Sequence, residues 1–151
     1  MKRLLLFVPI LFLSLWVISC GDKDKNENPE PTEKNKILVN YPWRMSSVTD
    51  LSGKAIPDNQ LGADTKFILK MDIQFQQNAT VKALDQNSSQ VINGGTWYLI
   101  NGEKALDIKI VGFSGEFGLE ELTSSKMKLK SKMPIGGVEQ EAIMVFQPVI
   151  K

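Results

Sequence analysis

The chain has 151 residues, 42% of them hydrophobic and 23% charged, with a formal net charge of +1, one cysteine and no histidine. That length suits one domain, and the near-neutral balance excludes nucleic acid as an electrostatic partner, since nucleic-acid binders carry strongly basic domains. The lack of histidine excludes Ser-His-Asp and Cys-His catalysis and the common His-bearing zinc sites, and a lone cysteine leaves the fold to rest on its core without an internal disulfide.

The chain opens with a positive Met1-Lys2-Arg3 and an apolar run from Leu4 to Ile18, broken only by Pro9 and Ser14. At about 15 residues the run fits a secretory signal and falls short of the ~20 that span a bilayer. It ends in Val17-Ile18-Ser19-Cys20-Gly21, which resembles the lipobox of bacterial lipoproteins, with Ile18 where a smaller residue is commoner. The resemblance implies that residues 1–19 are removed and that the Cys20 thiol, the one strong nucleophile here, is alkylated with diacylglycerol. Cys20 then becomes the new N-terminus, and a membrane becomes a partner through its acyl chains, each buried CH₂ contributing ~0.8 kcal/mol. Loss of Lys2 and Arg3 leaves 16 basic against 17 acidic residues.

From Gly21 to Asn35 there is no aliphatic or aromatic residue, and Pro29 and Pro31 interrupt the stretch. Such a segment cannot bury enough surface to offset ordering, so residues 20–36 are expected to be a disordered tether with an r.m.s. span of about 20 Å. The charges after Cys20 resemble an export signal of surface lipoproteins in diderm bacteria. Gly21 replaces the aspartate that marks inner-membrane retention. Both features imply an outer-membrane anchor, with the domain facing the periplasm or the cell surface.

Residues 37–151 carry the fold. Apolar residues there follow period two, the strand signature: Leu69, Met71, Ile73 and Phe75; Leu106, Ile108 and Ile110; Met127 and Leu129. In chain order the expected strands lie near 42–49, 67–75, 79–85, 95–100, 104–111, 116–122, 126–132 and 139–147. Gln76-Gln77-Asn78, Asn93-Gly94-Gly95, Asn101-Gly102 and Pro134-Ile135-Gly136-Gly137 separate them as turn signals. Asn101-Gly102 fits a type I′ turn, which needs φ > 0 at both positions. Residues 50–65 form the longest connection, and no twelve-residue window keeps a helical period. The fold class is therefore all-β: a single antiparallel up-and-down barrel of about eight strands, which removes its edges by closing. A two-sheet sandwich is the alternative.

Several of these residues resemble the lipocalin-like domains of small bacterial lipoproteins. They are Trp43 in Tyr-Pro-Trp-Arg-Met, the Phe75–Val81 hairpin Phe-Gln-Gln-Asn-Ala-Thr-Val, and Gly95-Thr96-Trp97 returning through Leu106-Asp107-Ile108. Glu121-Leu122-Thr123 before Met127-Lys128-Leu129 completes the set, while Tyr41 stands where lipocalins proper carry a glycine. The resemblance implies a barrel with a possible small hydrophobic ligand inside, against Trp43, Met45, Met71, Phe75, Trp97, Met127 and Met144. The same residues also serve as packing, because an eight-stranded barrel is just wide enough to be filled by side chains or to hold one small molecule.

Lys126, Lys128, Lys130 and Lys132 form a basic stripe on one strand face, expected to be solvated. Asp72, Asp107, Glu116, Glu120 and Glu121 sit in no hydrolase motif, so no catalytic residue, metal ligand or cofactor is assigned. Two functions follow as expectations, neither enzymatic. One is a membrane-anchored lipocalin-like binder of an apolar ligand; the other is a filled barrel contacting an envelope protein or glycan.

Overall fold

Eight strands of alternating pattern close on themselves in the computed structural model, which describes residues 31–150. They are β1 (Trp43–Thr49), β2 (Met71–Phe75), β3 (Thr80–Asp85), β4 (Val91–Ile100), β5 (Ala105–Ile110), β6 (Phe113–Leu122), β7 (Met127–Ile135) and β8 (Val138–Pro148). Each pairs antiparallel with its neighbour in sequence, and β1 pairs with β8, giving a closed up-and-down barrel. The barrel expectation holds and the sandwich is set aside. The expected signal peptide, Cys20 and most of the expected tether lie outside the described residues.

The period-two pattern fixes which side chains point in. Ile73 faces Trp43 across β1–β2, Leu106 faces Phe117 across β5–β6, and Met127 faces Phe146 across β7–β8. All six belong to one buried apolar cluster. Outward positions carry the charges. Lys128 and Lys130 on β7 pair with Glu121 and Glu120 on β6 at 2.7 and 3.1 Å, so the neighbouring strand neutralises two of the four lysines of the basic stripe.

Two helices close the ends. Helix α1 (Glu33–Asn40) starts at Thr32, whose hydroxyl accepts from the Asn35 N–H, and drives Leu38 into the core. The last residues expected to be tether are therefore helical. Two turns are too few to show a 3.6-residue repeat, and the surrounding composition is polar. The Trp43 indole N–H donates to the Leu38 carbonyl at 3.0 Å, fastening α1 across the barrel mouth. Helix α2 (Ala63–Ile68) lies within the long β1–β2 connection, after a 3₁₀ turn at Asp58–Gln60. It takes residues 67–68 from the expected second strand, because Thr65 and Ile68, three apart, bury one short helix face.

The glycine-rich breaks differ from expectation in an instructive way. Asn93-Gly94-Gly95 is no turn but the middle of β4. Asn101 and Gly102 do take positive φ (54° and 63°), yet Glu103 does too, and Ile100 pairs with Ala105, so the loop has four residues. The two-residue turn with both φ positive is Gly136-Gly137, between paired Ile135 and Val138. Asp72 lies on the outer face as expected but is buried, clasped by Arg44 at 2.7 and 2.9 Å.

Candidate functional site

The seven residues placed against a ligand by the resemblance all sit in the core. Trp43 and Met71 and Met127 are 0% exposed, Phe75 1%, Met144 2%, Met45 3% and Trp97 4%. A void wide enough for water leaves accessible surface on its walls, and these side chains have almost none. They hold one another instead: Phe75 and Trp97 meet edge to face at 5.2 Å, and the Trp97 indole N–H donates to the Gln76 carbonyl at 3.0 Å. As folded, they pack the barrel and do not surround a shared chamber.

Accessible space lies at the two ends. A recess of about 280 Å³ opens beside α2, lined by Met144 together with Thr65, Ile68, Phe117 and Met133. A larger one, about 920 Å³, lies at the α1 end. Its walls come from three pieces of chain: Asn35, Lys36 and Val39 of α1; Gln77, Asn78 and Ala79 of the β2–β3 turn; and Trp97, Tyr98 and Leu99 of β4, with Pro31 and Glu103 at the margins. Of the seven expected ligand residues it includes only Trp97.

The sequence dictates this arrangement locally. Turn 76–79 closes through Ala79 N–H to the Gln76 carbonyl and Gln76 N–H to the Thr80 carbonyl. Ala79 sits at φ 60°, a conformation costly for any residue with a Cβ. The Trp97 N–H donates to the Ala79 carbonyl, tying the turn to β4. On the far side, the Lys34 ammonium donates to the Glu103 carbonyl at 2.6 Å and draws α1 toward the β4–β5 loop. The recess is thus built from fixed elements. The sequence marks Gln77 and Asn78 as a turn and not as a site, and leaves Asn35 and Tyr98 unassigned; only alternation with Trp97 marks Tyr98 as an outward aromatic.

Ionisable groups of the surface follow their hydrogen bonds. The Ser52 hydroxyl, followed by the Lys54 N–H, lowers the Asp50 pKa; the Ser88 N–H and then its hydroxyl lower that of Asp85. Lys128 lowers Glu121, and Glu120 raises Lys130. Depressed carboxylates add stability that is complete above their unfolded values of 3.8 and 4.5 and is lost as pH falls through the folded ones. Raised Lys130 adds stability that is complete below 10.5 and lost as pH climbs through its folded value. With no histidine to titrate between them, the thermal midpoint is expected to stay flat from about pH 6 to about pH 9 and to fall below about pH 4. A calorimetric pH series checks this, and a sloping midpoint near neutrality would contradict it.

Among the described residues, no three His, Cys, Asp or Glu side chains gather to hold a metal ion. No protein-family model matches the chain, and no curated protein matches it.

Proposed function

We propose that this chain is a lipid-anchored, non-enzymatic interaction module of the cell envelope, a filled barrel that engages a protein or glycan at its α1 end. The observation carrying this reading is the contrast between a packed interior and an open recess. Trp43, Met71 and Met127 have no accessible surface, while about 920 Å³ of space lies between α1, the 76–79 turn and β4. That volume falls within the ~300–1,000 Å³ range of small-ligand sites. A carrier of apolar molecules needs the reverse.

The test is titration of the detergent-solubilised chain with an environment-sensitive fluorescent fatty acid. No saturable signal is expected. Saturable binding that weakens on filling-preserving changes inside the barrel, such as Met71→Leu or Met127→Leu, would restore the ligand-carrier reading.

Anchoring follows from the Val17–Gly21 motif. Cys20→Ala is expected to move the chain from the membrane to the soluble fraction with its circular dichroism unchanged, because the sulfur that accepts the lipid is gone. Retention of the variant in washed membranes would end the lipoprotein proposal.

A further inference from the structure

The walls of the α1-end recess combine an aromatic surface with a rim of amides. Tyr98 is 50% exposed, unusual for an aromatic in a barrel whose other large rings are mostly buried. Asn35, Gln77 and Asn78 line the same recess. Among the described residues, neither the Asn35 nor the Gln77 side-chain amide has a hydrogen-bond partner, nor does the Tyr98 hydroxyl. The Asn35 and Gln77 amides each offer two donors and an acceptor in one plane, while Asn78, whose Oδ1 accepts from the Thr80 N–H and hydroxyl, offers its two donors; together the set matches neighbouring hydroxyls on a ring.

Charge narrows the occupant further. Among the described residues, the only ionisable wall residues besides Tyr98 are Lys36 and Glu103. Lys36 lies 3.9 Å from Glu33, and the Glu103 backbone already takes the Lys34 ammonium. The recess therefore presents balanced charge and suits an uncharged ligand. A peptide adding as a strand needs a free backbone edge. Here β4 pairs with β5 as far as Ile100 and with β3 as far as Thr96, so little edge remains. A lipid tail, in turn, would leave the amides without partners, at a cost for each one buried.

We infer that this recess is a binding site for a neutral oligosaccharide, with one sugar ring lying on Tyr98 and its hydroxyls bonded by the amides of Asn35, Gln77 and Asn78. The inference rests on the interaction-module reading and specifies its ligand class. Ring stacking on Tyr98 supplies apolar contact through sugar C–H groups, and the phenol keeps its polar tip in water. Trp97, locked by its bond to the Gln76 carbonyl, and Ala79, held by Trp97, make the floor rigid. A rigid floor loses little freedom when the ligand docks.

The experiment is calorimetric titration of the detergent-solubilised full chain with three neutral hexasaccharides: β-1,4-linked glucose, α-1,4-linked glucose and β-1,4-linked N-acetylglucosamine. At least one is expected to bind saturably. Tyr98→Ala should weaken it about tenfold, and Tyr98→Phe should leave it nearly intact, because the ring face makes the contact. Gln77→Ala, an exposed turn position, should weaken it without changing the thermal midpoint. Binding of none of the three overturns the inference, as does binding indifferent to both Tyr98→Ala and Gln77→Ala. A neutral decapeptide titrated in parallel separates the two levels. If it binds where the sugars do not, the sugar assignment falls and the interaction-module reading stands; if only the fluorescent fatty acid binds, both fall.

Discussion

Gly95→Ala is expected to destabilise the barrel by about 3 kcal/mol or more, far beyond an ordinary glycine-to-alanine change in a strand. A Cβ at position 95 would lie 1.7 Å from the Lys109 carbonyl oxygen and 2.7 Å from its carbon. Both obstacles are backbone, so no rotamer change relieves them. Strand β4 would have to lift from β5 where Thr96 pairs with Lys109, opening the ladder beside the Trp97 anchor. The adjacent glycine is the control. At Gly94 the nearest atom to an added Cβ is the Val81 carbonyl oxygen, 3.4 Å away. Gly94→Ala should therefore cost less than about 1 kcal/mol. Urea unfolding of both variants checks the pair, and equal midpoints would show that close β4–β5 approach is not what requires glycine.

Trp43→Ala should cost still more, about 3–5 kcal/mol for the lost ring and its cavity. Removing the indole N–H also orphans the Leu38 carbonyl, which it holds at 3.0 Å. A domain of this size has only about 5–15 kcal/mol in hand, so the variant should populate unfolded chains or fail to accumulate. Trp43→Phe divides the effect: it keeps most of the volume and loses only the bond, so its cost should be near 1–3 kcal/mol. Because Leu38 belongs to α1, this bond also steadies one wall of the large recess. Trp43→Phe is therefore expected to loosen the proposed ligand binding there as well as lower the midpoint. A Trp43→Ala chain with a wild-type urea midpoint would remove Trp43 from its place as the fastening of α1.

How much of this was legible in the sequence depends on the physical scale of each signal. Strands such as Ala105–Ile110 announce themselves because alternation persists over several residues and burial is one-sided. Helices α1 and α2 do not, having eight and six residues. Within two turns, a buried Leu38 or a Thr65–Ile68 pair is indistinguishable from scattered apolar residues. The Gly94-Gly95 pair misleads for a different reason. Glycine serves both turns and close backbone contact, and only the position of Lys109 tells which. At the site, sequence pattern located the large apolar residues correctly as a set but could not weigh filling against enclosing, because that depends on volumes summed around a closed ring. The recess was invisible because it joins residues 35, 77 and 98, which no local spacing connects.

The pairing of β1 has a consequence for the order of assembly. This strand meets its sequence neighbour β2 only at Trp43 and Arg44, but runs against β8 from Trp43 to Thr49. Every other strand finds its earlier partner a short loop away. β1 must wait for a strand that is synthesised about 100 residues later, and that closure carries the largest chain-entropy cost in the molecule. Hairpins β2 to β8 can zip in sequence while the first strand stays unclaimed. Folding therefore completes at the N-terminal strand, and a chain truncated before Val138 keeps the hairpins from β2 to β7 but loses the β7–β8 pairing and has nothing to hold its first strand shut.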